Sequence, residues 1–204
     1  MSEKKKYSFK CAKQNCPDRV CCTRPHVNVT YGDLSRWTTQ NYLNHILQGI
    51  ALNLEEADKG GITLGTLRKP LSKDPEQTAC IFFDEEANAC RIRFSRPISC
   101  RTFPLEHDGE KFYVTNKNCA GIGKGEVTRE ALKEAKELAE KEYNERIETN
   151  TSLPAVYSVI MGQMLRKSAE AMQSMSEEDR QKLEEIMSKR DEQEESSDDT
   201  DASD

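Results

Sequence analysis

Short apolar runs separated by turn-forming residues fill the first 126 residues, a pattern typical of short strands joined by loops. Between positions 25 and 30, Val27 and Val29 alternate with polar residues, which predicts a short strand. Thr30 precedes Asp33 by three residues, the spacing of a capping box, and so predicts the start of a helix. Four apolar residues could line one face of the segment that follows: Leu34, Trp37, Tyr42 and Ile46.

The chain from Gly60-Gly61 to the last cysteine is predicted to be a loop followed by two hairpins. Glycine and proline punctuate residues 62–76, so this stretch is expected to be loop with at most one short strand. The first hairpin would bring Cys80 and Cys90 close together. The hairpins pair 78–84 with 90–94 around a turn at 84–88, and 103–106 with 111–114 around a turn at Asp108-Gly109.

From Thr128 onward, apolar residues recur at the spacing of amphipathic helices. Thr128 can cap the first helix, and the segment from Asn150 to Pro154 is expected to break it. A second helix would follow, and Ser176 with Asp179 predicts the start of a third. The apolar positions are Leu132, Ala135, Ala139, Tyr143 and Ile147, then Val156, Val159, Ile160, Met164 and Leu165, then Leu183, Ile186 and Met187.

These patterns predict an α+β fold. A small, loop-rich cysteine-cluster core with short strands is followed by C-terminal α-helices and a disordered acidic tail. The predicted boundaries are a flexible basic leader at 1–8, a cysteine-cluster metal-binding domain at 9–126, a helical region at 127–190 and the tail at 191–204.

Charge is distributed unevenly along the chain. The formal net charge is −6, but residues 191–204 contribute eight acidic side chains and no basic one. Residues 1–190 carry 30 basic against 28 acidic side chains, with both signs intermixed. Intermixed charges that nearly cancel attract the phosphate backbone of nucleic acid only weakly, so a nucleic-acid partner is not expected.

The amino-terminal residues and the hydropathy of the chain indicate a cytoplasmic protein with reduced thiols. Residues 1–10 contain several lysines but no apolar segment of a secretory signal. No apolar stretch of 18 residues occurs, so no contact with a membrane is expected. Clustered cysteines in a reducing compartment are typical of metal binding or catalysis. The alternative is that the eight cysteines form four disulfides.

The cysteines fall in two blocks, and all of them are candidate metal ligands: Cys11, Cys16, Cys21, Cys22, Cys80, Cys90, Cys100 and Cys119. Thiolates are soft ligands that suit zinc or an iron–sulfur cluster, and the pattern does not distinguish the two. Eight thiols allow two four-thiolate sites, one such site with spare thiols, or one polynuclear cluster. In an extended segment Cys21 and Cys22 would point to opposite sides, so one of them would leave the site or serve a second metal. His26 and His107 could each replace a thiolate.

The motifs around these cysteines follow a recognisable order: Phe9-Lys10-Cys11, Cys16, Cys21-Cys22, Val27 to Asp33, Cys80, Cys90-Arg91-Ile92, Arg96-Pro97-Ile98-Ser99-Cys100-Arg101-Thr102-Phe103-Pro104, and Cys119 in a glycine-rich turn. From about Phe9 to Gly125 the chain resembles the YkgJ-type cysteine-cluster family, which is proposed to chelate zinc or iron. The first block of that family is commonly spaced closer to CxxCxxCC, whereas four-residue gaps separate the first three cysteines here. The resemblance implies metal binding through the cysteines.

Arg96 and Arg101 flank Cys100 and are candidate cofactor-binding residues. Cations beside thiolates lower the thiol pKa and offset the negative charge of a multi-thiolate site. The alternative is that both arginines pair with nearby carboxylates: Asp84, Glu85 or Glu106.

Two classes of function fit these features. The first is a cytosolic metalloprotein that acts as an accessory, assembly or electron-transfer factor, with the C-terminal helices docking a protein partner. The second is a cluster- or thiol-dependent enzyme with redox or protein-modification chemistry. No catalytic residues are assigned, because the sequence contains no CxxC, no HExxH and no nucleotide-binding loop. The sequence does not indicate an oligomeric state.

Overall fold

The protein is described by a computed structural model that covers residues 7–56, 61–179 and 182. The helices are α1 Val20–Thr23, α2 Tyr31–Thr39, α3 Leu43–Leu47, α4 Ile98–Thr102 and α5 Arg129–Ser174, with 3-10 turns at Lys13–Asn15 and Arg93–Ser95. The strands are β1 Ile50–Glu56, β2 Gly61–Thr66, β3 Arg68–Pro70, β4 Thr78–Cys80, β5 Phe83–Asp84, β6 Ala89–Cys90, β7 Leu105–His107 and β8 Phe112–Val114. The acidic tail and the first six residues of the basic leader lie outside the described residues, so those expectations stay predictions.

The strands form antiparallel pairs, β1–β2, β3–β4, β5–β6 and β7–β8. Together with the short helices and the long α5, they confirm the predicted α+β fold. The β7–β8 pair is the second predicted hairpin, with His107 opposite Phe112. The β5–β6 pair is a shortened form of the first predicted hairpin, with Phe83 opposite Cys90. Cys80 lies outside that hairpin, because its strand pairs with β3.

The β1–β2 pair was not predicted, since the sequence indicated mainly loop after residue 61. Ile62, Leu64 and Thr66 are buried at every second position, so β2 does have the period of a strand. The expected strand at 25–30 is reduced to a bridge beside β2. There Val29 N–H donates to the carbonyl of Leu64 at 2.9 Å, and Thr66 N–H donates to the carbonyl of Val27 at 3.1 Å.

Helix α2 begins with the predicted capping box. Thr30 Oγ1 accepts a hydrogen bond from Asp33 N–H at 3.1 Å, and the Asp33 carboxylate accepts one from Thr30 N–H at 3.3 Å. Asp33 also accepts a bond from Ile98 N–H at 2.9 Å, at the start of α4. The cap therefore joins α2 to the helix that carries Cys100. Trp37, further along α2, is fully buried, in line with its predicted place on the apolar face of this segment.

Helix α5 is continuous where the sequence predicted two helices, so the predicted break at 150–154 is wrong. Pro154 lies inside the helix. Tyr31 N–H donates to Thr149 Oγ1 at 2.9 Å, which fixes the turn before the proline to the start of α2. The hydroxyls of Thr151 and Ser152 donate to carbonyls four residues earlier, at 2.7 and 2.8 Å. The bond from Tyr31 anchors the turn from outside the helix despite its poor local propensity, whereas hydroxyl bonds to carbonyls four residues earlier slightly weaken a helix.

The chain divides into two compact units, 1–154 and 155–204. The first unit contains all eight cysteines. In the second, the described residues comprise the end of α5 and the start of a further helix, where Asp179 N–H donates to Ser176 Oγ at 3.2 Å as predicted. Most of that predicted helix lies outside the described residues. In the described part of the chain, no helix has the length and apolar character needed to cross a membrane.

Candidate metal centre

Five cysteines reach one region of the first unit from four separate elements. They are Cys21 and Cys22 on α1, Cys80 at the end of β4, Cys90 at the end of β6 and Cys100 in α4. Negative charge on Cys80 or Cys21 raises the pKa of Cys90 and of Cys100, and negative charge on Cys21, Cys90 or Cys100 raises that of Cys22, so the five thiols lie within electrostatic reach of one another. We call these five residues the inner cysteine group. All eight cysteines of the chain are free thiols.

The adjacent cysteines Cys21 and Cys22 already have the spacing of two metal ligands. Their Sγ atoms are 3.9 Å apart. Four sulfur atoms bound tetrahedrally to zinc at about 2.3 Å are about 3.8 Å from one another. The expectation that the two side chains face opposite sides is wrong, because they lie in the helical turn α1 and not in an extended segment.

The same two thiols differ in acidity. A hydrogen bond from Cys22 lowers the pKa of Cys21 to about 6, and the guanidinium groups of Arg24, Arg19 and Arg96 act in the same direction against burial. That hydrogen bond, together with burial and the charge of neighbouring thiolates, raises the pKa of Cys22. Without metal, the pair therefore holds one proton at neutral pH, on Cys22.

Burial keeps other inner thiols protonated in the absence of a metal. It raises the pKa of Cys100 to about 11, although the positive charge of Arg24 opposes it. Burial also raises the pKa of Cys90, and the charge of Cys80 adds to this effect. A metal cation binds thiolates and displaces their protons, so loading of this group would release protons to solvent.

The remaining cysteines, Cys11, Cys16 and Cys119, form a second set that we call the outer cysteine group. Lys10 N–H donates to the carbonyl of Gly121 at 3.0 Å, which joins the first cysteine segment to the glycine-rich turn. A Cβ atom at Gly121 would lie 2.7 Å from the Lys10 carbonyl oxygen, so this approach requires glycine. Burial raises the pKa of Cys119, and the charges of Cys16, Cys21 and Cys11 add to it. The outer group therefore lies within electrostatic reach of the inner group through Cys21.

The thiols are gathered but are not arranged as a complete coordination shell. Within residues 7–56, 61–179 and 182, no three His, Cys, Asp or Glu side chains are placed to hold one metal ion. Binding would therefore require further thiols of the inner group to turn toward Cys21 and Cys22. The donor set itself, soft sulfur ligands beside arginines, suits zinc or iron and not magnesium or calcium.

A protein-family model matches residues 10–120, which include every cysteine. It is the CxxCxxCC family, described as a "putative zinc- or iron-chelating domain". The chain belongs to the CxxCxxCC family. This confirms the resemblance noted in the sequence and the assignment of zinc or iron as the metal class. No curated protein and no solved structure matches the chain.

The CxxCxxCC domain places one of the two predicted cofactor-binding arginines beside the thiols. The charge of Arg96 lowers the pKa of Cys21 and of Cys90, and its Nε donates to the Arg93 carbonyl at 3.0 Å. Arg101 lies exposed on α4. Glu85 was one expected carboxylate partner of these arginines. Its Oε1 instead lies 3.7 Å from Lys69 Nζ.

Two further arginines, which were not among the predicted site residues, also lie beside the inner group. Arg24 Nη2 donates to Cys100 Sγ at 3.6 Å and to Ser99 Oγ at 3.2 Å. Arg19 is buried, and its Nε donates to Asn88 Oδ1 at 2.8 Å. Both could have been found from the sequence, because each lies two residues from the adjacent cysteine pair, one on either side.

Polar side chains fix the backbone that carries the cysteines. Arg68 donates from Nη1 to the Cys22 carbonyl at 3.1 Å and from Nη2 to the Thr78 carbonyl at 2.6 Å. It therefore ties α1 to the strand that ends at Cys80. Asn88, in the turn before Cys90, donates from Nδ2 to the Cys16 carbonyl at 3.0 Å.

The two candidate histidine ligands have other surroundings. His26 is exposed. His107 is buried, and its Nδ1 accepts a hydrogen bond from Gly109 N–H at 3.3 Å. Its ring centroid lies 4.5 Å from that of Phe112 and 5.5 Å from that of Tyr143. His107 therefore packs the β7–β8 hairpin against α5.

Proposed function

We propose that this CxxCxxCC domain holds its zinc or iron through the inner cysteine group and serves as an accessory, assembly or electron-transfer factor. The observation that carries the choice of ligands is the 3.9 Å separation of the Cys21 and Cys22 sulfur atoms, with three further thiols in electrostatic reach. Bound zinc would tie α1, β4, β6 and α4 together, whereas a bound iron–sulfur cluster would also carry electrons. The electron-transfer role therefore requires iron.

Metal and acid-labile sulfide content of the anaerobically purified protein, with its visible spectrum, tests this proposal. Iron with matching sulfide and broad visible absorption would support electron transfer. One or two zinc ions in a colourless protein would support an accessory role with a structural metal. Protein that carries neither metal and takes up neither in reconstitution would contradict metal binding.

A matched pair of variants tests which thiols bind. Cys100→Ser removes a member of the inner group and is expected to lose the bound metal. Cys11→Ser removes the exposed cysteine of the outer group and is expected to retain metal at the inner group. Equal loss of metal from both variants, or from neither, would contradict the assignment to the inner group.

The second unit would supply docking to a protein partner. Val156, Ile160 and Met164 are spaced by four residues along α5 and therefore share one face of the helix. Their side chains are 45%, 51% and 59% exposed. We expect this face to enter an apolar groove of a partner protein, as amphipathic helices commonly do.

Photo-crosslinking from two positions on α5 tests this docking. A crosslinker at position 160 is expected to give one major adduct with a second protein. Position 169 lies on the opposite face of the helix, and a crosslinker there is expected to give little adduct. Equal crosslinking from both positions would contradict the assigned face. An adduct of the chain with itself would indicate self-association instead of a separate partner.

A thiol-dependent enzyme is the second candidate, and the acidity of Cys21 favours it. A thiolate beside a thiol is the arrangement that thiol–disulfide exchange requires. A Cys21→Ser variant separates the two functions. Retention of the full metal content with loss of thiol-exchange activity would support the enzyme, whereas loss of metal would support the ligand role.

A further inference from the structure

Two guanidinium nitrogens near the cysteines are buried and have no hydrogen-bond partner: Arg19 Nη2 and Arg24 Nε. Arg19 is only 6% exposed, and its Nε bond to Asn88 fixes the plane of its guanidinium group. Buried donors without a partner are costly, and a buried unpaired charge is costlier still. We therefore look for a hydrogen-bond acceptor, other than those already bonded, that these two nitrogens could contact.

Carboxylates do not supply the missing negative charge. Where the structure describes burial in the first unit, the buried carboxylates are already paired, Asp33 with Arg36 at 2.8 Å and Glu142 with Arg146 at 3.1 Å. Glu142 lies within electrostatic reach of Arg24, but it accepts its hydrogen bond from Arg146. Across 7–56, 61–179 and 182, neither Arg19 nor Arg24 forms an ion pair.

Cysteine sulfur atoms lie near both arginines, whose charges lower the pKa of Cys21. Arg24 Nη2 already lies 3.6 Å from Cys100 Sγ. The Arg19 carbonyl accepts a hydrogen bond from Cys22 N–H at 2.7 Å, so this arginine lies at the first turn of α1. Without metal, Cys21 brings one thiolate near these arginines, whereas four thiolates around one divalent cation leave a net charge of about −2 on the centre.

Building on the proposed function, we infer that Arg19 and Arg24 are positioning residues for a metal–thiolate centre of net negative charge in the inner cysteine group. They would neutralise the centre and donate N–H···S hydrogen bonds to it from the two nitrogens that are now without acceptors. The centre would accordingly be an all-thiolate one. A neutral imidazole in place of a thiolate would reduce the negative charge that the arginines require.

Zinc titration of the reduced, full-length protein against a chromophoric chelator tests this inference. Arg19→Gln and Arg24→Gln remove the charge and are each expected to weaken zinc binding about 10- to 100-fold, the usual effect of losing a residue that supports metal ligands. Arg19→Lys and Arg24→Lys retain the charge and are expected to recover most of the affinity. Arg129→Gln is the matched control, because this arginine is exposed at the start of α5, and it is expected to bind like the wild type.

Thermal unfolding of the metal-free variants separates this role from a structural one. Both arginines keep hydrogen bonds without metal, from Arg19 to Asn88 and from Arg24 to Ser99, so the metal-free glutamine variants should unfold only slightly earlier than the wild type. Zinc should then raise their unfolding temperature by clearly less than it raises that of the wild type. Wild-type zinc affinity in both glutamine variants would overturn the inference and leave the proposed function intact. Failure of the wild type to bind zinc or ferrous iron would overturn both. If one glutamine variant does not fold, unchanged affinity in the other variant would overturn the inference.

Discussion

At the scale of single residues, Cys21 has surroundings that an isolated cysteine lacks. It accepts a hydrogen bond from Cys22 and lies close to three arginines, and these lower its pKa from 9.0 to about 6. Because only the thiolate reacts with an alkylating reagent, this shift is measurable in the metal-free protein.

We therefore expect the alkylation rate of Cys21 in reduced, metal-free protein to rise through pH 6 and to level off above about pH 7. The sign follows from the lowered pKa, since the thiolate persists in neutral solution and is lost only as the pH falls below about 6. Timed iodoacetamide labelling with peptide mass spectrometry measures the profile. Cys22→Ala removes the hydrogen-bond donor and should move the midpoint upward. A wild-type midpoint near pH 9 would be inconsistent with this account.

Thr30 illustrates how one buried hydroxyl joins distant segments. Its Oγ1 accepts from Asp33 N–H at 3.1 Å and donates to Glu145 Oε2 at 2.7 Å. Thr30→Val keeps the shape but loses both bonds, so we expect the free energy of unfolding to fall by about 1–3 kcal/mol. Urea denaturation measures it. Thr38→Val is the control, since this exposed hydroxyl bonds only within its own helix, and a loss as large as that of Thr30→Val would argue against the cap.

At the scale of elements, α1 and α5 show where local patterns mislead. Cys21 and Cys22 were expected to lie in an extended segment, yet the adjacent pair lies in a helical turn. Asparagine, threonine, serine and proline near 150–154 indicated a break, yet α5 runs through them. In both places contacts from elsewhere decide the conformation: Arg68 holds the Cys22 carbonyl, and Tyr31 holds Thr149.

Proline inside α5 leaves the helix without one backbone donor. Pro154→Ala restores that donor and a favourable helix residue, so we expect the free energy of unfolding to rise by about 1–3 kcal/mol. Chemical denaturation followed by circular dichroism measures the change. Gln163→Ala, at an exposed position of the same helix, is the control and should change stability by less than about 0.5 kcal/mol. A loss of stability in Pro154→Ala would show that the proline is needed where it lies.

At the scale of the whole molecule, a metal in the inner cysteine group would join elements that are far apart in sequence. Cys21 and Cys22 lie near the amino terminus, while Cys80, Cys90 and Cys100 follow the β1–β2 hairpin. Any ligand that binds the folded state alone raises its stability by mass action, by about 2.7 kcal/mol at a hundredfold excess over the dissociation constant.

Zinc at that excess should therefore raise the unfolding temperature by about 5–10 °C. Thermal denaturation of reduced protein with and without the metal measures the shift, and a chelator should reverse it. Magnesium is the control ion, because thiolates do not favour it, and it should produce no shift. Cys100→Ser should abolish the effect of zinc, and an undiminished shift in that variant would contradict the assigned ligands.

Residue types and local spacing were enough to predict the metal chemistry of this protein and several of its local elements. Thiols at this density specify a soft-metal site whatever the fold, and the family match confirms that interpretation. The capping box at Thr30 and the β7–β8 hairpin also followed from the sequence, because their signals lie within a few neighbouring residues.

Long-range contacts of the folded chain set which thiols lie together and which residues surround them. The sulfur separation of Cys21 and Cys22 depends on a turn stabilised from β3, and the separation into inner and outer groups depends on strand pairings. The burial of the Arg19 and Arg24 nitrogens likewise depends on how the folded chain packs around them. These features arise from contacts between residues distant in sequence, and such contacts leave no periodic signal in the chain.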